Sequence, residues 1–100
     1  MKPIIFLPQA EEEMLDAGSY YESKVKGLGR HFISEVERSK GIIVKHPEMY
    51  PVIKYAVRRC ITRRYPYGLL YINDPEEIII VAVMHLSKKP EYWVDRLNEF

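Results

Sequence analysis

Residues 55–85 read Tyr-Ala-Val-Arg-Arg-Cys-Ile-Thr-Arg-Arg-Tyr-Pro-Tyr-Gly-Leu-Leu-Tyr-Ile-Asn-Asp-Pro-Glu-Glu-Ile-Ile-Ile-Val-Ala-Val-Met-His. Three strands are expected here, over residues 55–64, 67–73 and 78–85. The first is basic and the second is aromatic and aliphatic. The third is apolar at successive positions, as a central strand covered on both faces must be. Asn73-Asp74-Pro75-Glu76 is a turn signal between the second and third strands.

Upstream the apolar period is near 3.6 rather than 2. Residues 3–7 are short and apolar, which predicts a brief first strand, and Pro8 can open a helix because its missing N–H is not needed in the first turn. Glu11, Glu12 and Glu13 are expected in that first turn, where carboxylates favour the positive helix end. Ala10, Met14, Ala17, Tyr21 and Leu28 form one apolar stripe; Leu28, Phe32, Val36, Ser39 and Ile43 form another. Gly27 and Gly29 punctuate the turn between them, and Pro47 ends the second helix. After Pro90 a short last helix is expected, with Trp93 and Leu97 one turn apart. The expected order is β-α-α-β-β-β-α. This is an α+β domain over residues 1–100, a mainly antiparallel sheet with an α-hairpin on one face.

The 100 residues carry 15 basic and 14 acidic side chains, a net charge of +1. Lys54, Arg58, Arg59, Arg63 and Arg64 nevertheless fall between Met49 and Asn73 with no acid among them. Fixed planar guanidinium groups concentrated this way suit a phosphate, a nucleic acid or an acidic partner. The plainer reading is an edge strand kept soluble by charge. Strand alternation puts Arg58 and Arg64 on one side with Cys60 and Thr62, and Arg59 and Arg63 on the other with Val57 and Ile61.

A second group, His85, Lys88, Lys89, Tyr92, Trp93 and Arg96, holds residues suited to acid–base work on RNA. Trp93 at helical spacing from Leu97 is also an ordinary core residue. The eight tyrosines suit half-buried strand surfaces and partner interfaces more than base stacking. Cys60 is the sole cysteine, so neither an internal disulfide nor a cysteine metal cluster can form. No stretch approaches the ~18 apolar residues of a membrane span, and the first residues lack a signal peptide's features. The expectation is a cytoplasmic protein with no membrane association, no metal and no cofactor.

Arg58-Arg59, the run from Arg64 to Tyr71, the run from Ile78 to His85 and the run from Lys89 to Arg96 resemble the RelE/ParE toxin superfamily. So do Ala10, Asp16, Ala17, Tyr20-Tyr21-Glu22, Gly27-Leu28-Gly29, Phe32 and Val36. The likeness spans roughly residues 4 to 97, in the expected order. It implies the toxin of a type II toxin–antitoxin pair, neutralised by a cognate antitoxin. In the RelE branch the toxin cleaves mRNA on the ribosome; in the ParE branch it blocks DNA gyrase and is not a nuclease. The RelE-type pattern places arginines where this chain has Gly68 and Leu86, while Arg59 and Tyr92 match. The resemblance is therefore closer to the ParE-like branch, with Arg58, Arg59, Arg63, Arg64, Tyr92 and Arg96 facing gyrase or the antitoxin. The alternative is a ribosome-dependent endoribonuclease acting on mRNA through Arg59, His85, Lys88 and Tyr92. In either case acidic antitoxin side chains are expected to meet the basic strand.

Overall fold

A computed structural model describes residues 1–99. Strand β1 (Ile4–Phe6) leads into helices α1 (Pro8–Lys24) and α2 (Leu28–Lys45). Strands β2 (Val52–Lys54), β3 (Val57–Ile61), β4 (Tyr67–Asn73) and β5 (Ile78–His85) follow, and then a 3-10 helix (Val94–Glu99). The sheet order is β1-β5-β4-β3-β2. β1 runs parallel to β5, and the other neighbours are antiparallel. This is the α+β class expected, with a mixed sheet.

The helices lie where the apolar stripes put them. Pro8 occupies the first turn of α1, and Ala10 and Ala17 are buried on its inner side. Phe32, Val36, Ser39 and Ile43 are buried along α2. The helices touch backbone to backbone: a Cβ on Gly29 would stand 2.3 Å from the Gly18 carbonyl oxygen. Gly27, at φ 89°, makes the turn, and the Glu22 carboxylate accepts from the Gly27 and Gly29 N–H groups at 2.9 and 3.0 Å. These two bonds hold the Glu22 carboxyl below the usual carboxylate range.

Every residue of β5 from Ile78 to Met84 is buried, as its unbroken apolar run requires. β5 lies between β1 and β4. Leu70 pairs with Ala82 but Tyr71 pairs with Ile80, so Val81 has no residue opposite it on β4. Such a bulge bends a strand and frees backbone groups for other partners. Trp93, Tyr71 and Phe32 head the largest buried side chains.

Four expectations are corrected. The basic strand stops at Ile61 rather than residue 64, because Thr62 turns inward and donates its hydroxyl to the carbonyls of Tyr65 and Tyr67. A further strand, β2, precedes it: Tyr55 (φ 49°) and Ala56 (φ 65°) form a two-residue turn with both φ values positive, joining Lys54 to Val57. The last helix is a 3-10 segment starting at Val94, because the Trp93 indole N–H donates to the Pro90 carbonyl and closes residues 90–93 as turns. Glu12 and Glu13 stand beyond the first turn of α1, which holds Glu11.

Candidate functional site

Successive residues of β5 face opposite ways. Val83 and His85 line a hollow on the α-hairpin side, together with Glu13, Asp16, Tyr20, Tyr67, Lys88 and Tyr92; its volume is about 250 Å³. Met84, and Leu86 just past the strand, line a groove on the outer side with Ile53, Lys54, Arg59, Lys88 and Trp93, of about 270 Å³. Lys88 stands between the two.

Glu13 organises the inner hollow. β1 ends at Phe6, and the Leu7 N–H takes the Ile80 carbonyl, so beyond that point β5 has no strand beside it on this edge. Glu13 accepts the Val83 N–H at 3.1 Å. Arg96 donates to the Val81 carbonyl at 3.0 Å, on the same uncovered stretch of β5. The two side chains then meet as a fork-to-fork pair at 2.8 and 2.9 Å. The Tyr92 hydroxyl completes the cluster by donating to Glu13 Oε2 at 2.6 Å. Burial first, and then this carboxylate, push the Tyr92 phenol well above its usual range. Its hydroxyl is a hydrogen-bond donor held in place by Glu13.

His85 presents Nδ1 as an acceptor to the Ser87 N–H at 3.0 Å and to the Ser87 hydroxyl at 2.7 Å. Its ring meets Tyr67 edge-on, with centroids 5.1 Å apart. The Lys88 ammonium lies 5.4 Å from the Tyr92 ring centroid.

The four clustered arginines separate. Arg58 turns to the helix side and donates to the carbonyls of Glu48 and Tyr50, at 3.1 and 2.7 Å. Arg59 turns to the outer groove and lies over Gly68, where a Cβ would meet its Cγ at 3.1 Å and its Cδ at 3.2 Å. Arg63 is exposed. Arg64, with φ 69°, reaches His31 Nε2 at 3.4 Å, and His31 Nδ1 is 2.6 Å from the Tyr65 hydroxyl. Among the described residues, Arg38, Lys40, Lys54 and Arg96 carry the ion pairs to carboxylates, so none of the four clustered arginines is neutralised that way. Arg96 and Tyr92, also expected to face a partner, are engaged with Glu13.

The residues of the nuclease alternative are divided by the sheet. His85 and Tyr92 line the inner hollow, Arg59 lines the outer groove, and Lys88 borders both. No group of three or more His, Cys, Asp or Glu among the described residues is arranged to hold a metal ion. No described helix is long and apolar enough to cross a membrane.

A family model for the ParE toxin of type II toxin–antitoxin systems (parDE) matches residues 4–90. The chain belongs to the ParE toxin family. Among solved structures it is similar to a chain from the chromosomal ParDE TA system of P. aeruginosa. The TM-score is 0.63 at 14% identity, covering 87% of this chain and 98% of that one. At that identity the likeness is one of fold. No curated protein sequence matches the chain.

Glu13 is the residue that reading the sequence as a helix-end charge missed. The signal was present. Position 13 falls three after Ala10 and four before Ala17, on the buried stripe of α1, where a carboxylate requires partners.

Proposed function

We propose that this ParE-family chain is a cytoplasmic, growth-inhibiting toxin that acts by binding DNA gyrase and is neutralised by a cognate antitoxin. One observation carries the choice against RNA cleavage: the groups a nuclease would need stand on two faces of the sheet. Cleavage requires a base for the 2′-hydroxyl, an acid for the leaving oxygen and positive charge at the phosphate, all within hydrogen-bond reach of one scissile bond. Tyr92 is tied to Glu13, His85 Nδ1 is occupied by Ser87, and Arg59 points into the other groove. Gly68 and Leu86, where the nuclease pattern has arginines, add no charge. A binding poison needs none of these convergences. It needs a rigid surface carrying unneutralised cations, which Arg59, Arg63 and Lys88 supply.

The test adds the purified toxin to a gyrase supercoiling reaction and, separately, to a translating extract whose message ends are mapped. The expected result is loss of supercoiling, reversed by the antitoxin, with the message intact throughout. Intact supercoiling would overturn the gyrase reading, and message cut at codon positions would establish the nuclease in its place.

A further inference from the structure

Strand β5 ends in a turn whose backbone is tied down on both sides of Ser87. The Leu86 N–H donates to the Pro66 carbonyl at 2.8 Å, and the Lys88 N–H donates to the His85 carbonyl at 3.0 Å. The Ser87 N–H donates to His85 Nδ1 at 3.0 Å, and the Ser87 hydroxyl lies 2.7 Å from the same nitrogen. Tyr67 is the residue opposite His85 on β4, and the two rings meet edge-on. A backbone N–H can only donate, so Nδ1 carries a lone pair and the proton of the neutral imidazole sits on Nε2. The Ser87 hydroxyl faces that lone pair and is therefore the donor.

A serine hydroxyl is a weak nucleophile until a base stands ready to take its proton. Here the base is within reach, and its ring is fixed by groups other than the hydroxyl. Ser23 makes the useful contrast. It is also exposed, but its hydroxyl donates to the Tyr20 carbonyl at 2.6 Å, an acceptor that is no base. Residues 86–89 are all exposed, so a reagent in solution meets Ser87 without any opening of the fold. Lys88 and Lys89 follow directly, and neither is in an ion pair among the described residues. Two such cations draw an anionic reagent to the turn and favour a leaving group that departs with negative charge.

We propose that Ser87 is a covalent modification site, with His85 as its base and small acyl phosphates as the acyl donors. Ser87 Oγ attacks the carbonyl carbon of the donor while its proton passes to His85 Nδ1. The bond from that carbon to the phosphate oxygen breaks, and the phosphate leaves with the electron pair. An ester on Ser87 remains, and the imidazolium returns its extra proton to solvent. One donor is consumed for each serine acylated. The inference goes beyond the gyrase-binding function and does not rest on it.

The experiment incubates the purified toxin with acetyl phosphate and follows acetylation of each site over time by tandem mass spectrometry. Ser87 should be acetylated about a hundredfold faster than Ser23 in the same molecules, the usual contribution of a positioned general base. His85→Asn retains a side-chain acceptor able to hold the turn but supplies no base, and it should bring Ser87 down to the rate of Ser23. Ser87→Ala should abolish the fast phase. The comparison of two serines within the unaltered chain needs no variant to fold. Ser87 acetylated no faster than Ser23, a label confined to Lys88 and Lys89, or a rate at Ser87 that His85→Asn leaves unchanged would each overturn the proposal. Labelling is read by mass and the gyrase function by supercoiling, so the failure of either is seen without the other.

Discussion

Val83 and Met84 are neighbours in the chain and open onto different hollows, and the two hollows treat charge in opposite ways. On the inner side the cation and the acid find each other: Arg96 and Glu13 form a two-pronged pair, and both also cap the stretch of β5 that β1 leaves uncovered. On the outer side Arg59 makes no ion pair among the described residues. The difference teaches that a cation's identity in the sequence does not reveal its role. What separates a structural arginine from an available one is whether an unpaired backbone group or a buried carboxylate lies within its reach.

The strongest way to break this comparison is to remove Arg96. Its side chain is 14% exposed and that of Glu13 is 21% exposed. Arg96→Ala would leave a largely buried carboxylate and the Val81 carbonyl without their donor. Breaking a buried pair from one side costs about 3 kcal/mol, and partial exposure brings the expected loss here to about 2 kcal/mol. The urea midpoint should fall with the m-value unchanged. A midpoint within error of the parent would show that the inner cluster is as loosely held as the outer groove.

Much of this architecture was legible. The 3.6-period stripes place both helices, and the run from Ile78 to Met84 fits only a strand buried on both faces. Alternation put Arg58 and Arg59 on opposite sides, which is where they stand. Two elements were hidden for physical reasons. β2 has three residues, and its turn uses Tyr55 and Ala56 at positive φ, where glycine or asparagine would have announced it. The closing segment reads as an α-helix from Pro90 onward, but the hydrogen bond from Trp93 and the anchoring of Tyr92 and Arg96 on α1 override that local preference. Such long-range ties cannot be seen in a local pattern.

An intermediate effect comes from alkali. Burial pushes the Tyr71 phenol up to about 12, and its hydroxyl donates to the Pro47 carbonyl. The Tyr92 phenol is raised for the same first reason and, in addition, by its bond to Glu13. A raised folded-state value favours the protonated phenol. The stability it contributes is therefore fully present below the usual tyrosine range, near 10, and is lost as pH climbs from there through about 12. The midpoint should decline over that interval. Tyr92→Phe should start lower at neutral pH, by about 1 kcal/mol for the missing hydrogen bond, and then decline less steeply. Parallel curves for the two proteins would mean that the inner hollow does not control the phenol.

The smallest expected change in stability tests the outer groove. Gly68 carries no side chain, and that gap is what lets the Arg59 stem lie against β4. Gly68→Ala adds one methyl group at about the distance where a neighbour must yield by a few tenths of an ångström, and the neighbour is a flexible side chain rather than backbone. Residue 68 is extended, so alanine is conformationally acceptable there and removes some freedom from the unfolded chain. These terms oppose each other, and the net change should lie within about 0.5 kcal/mol. The guanidinium, however, would be lifted from its bed. If Arg59 is held ready by the groove's shape, affinity for the cognate antitoxin should weaken several-fold in Gly68→Ala with the melting curve almost unmoved. Unchanged antitoxin affinity would mean that Arg59 acts as a free surface charge and that the glycine beneath it has no part in presenting it.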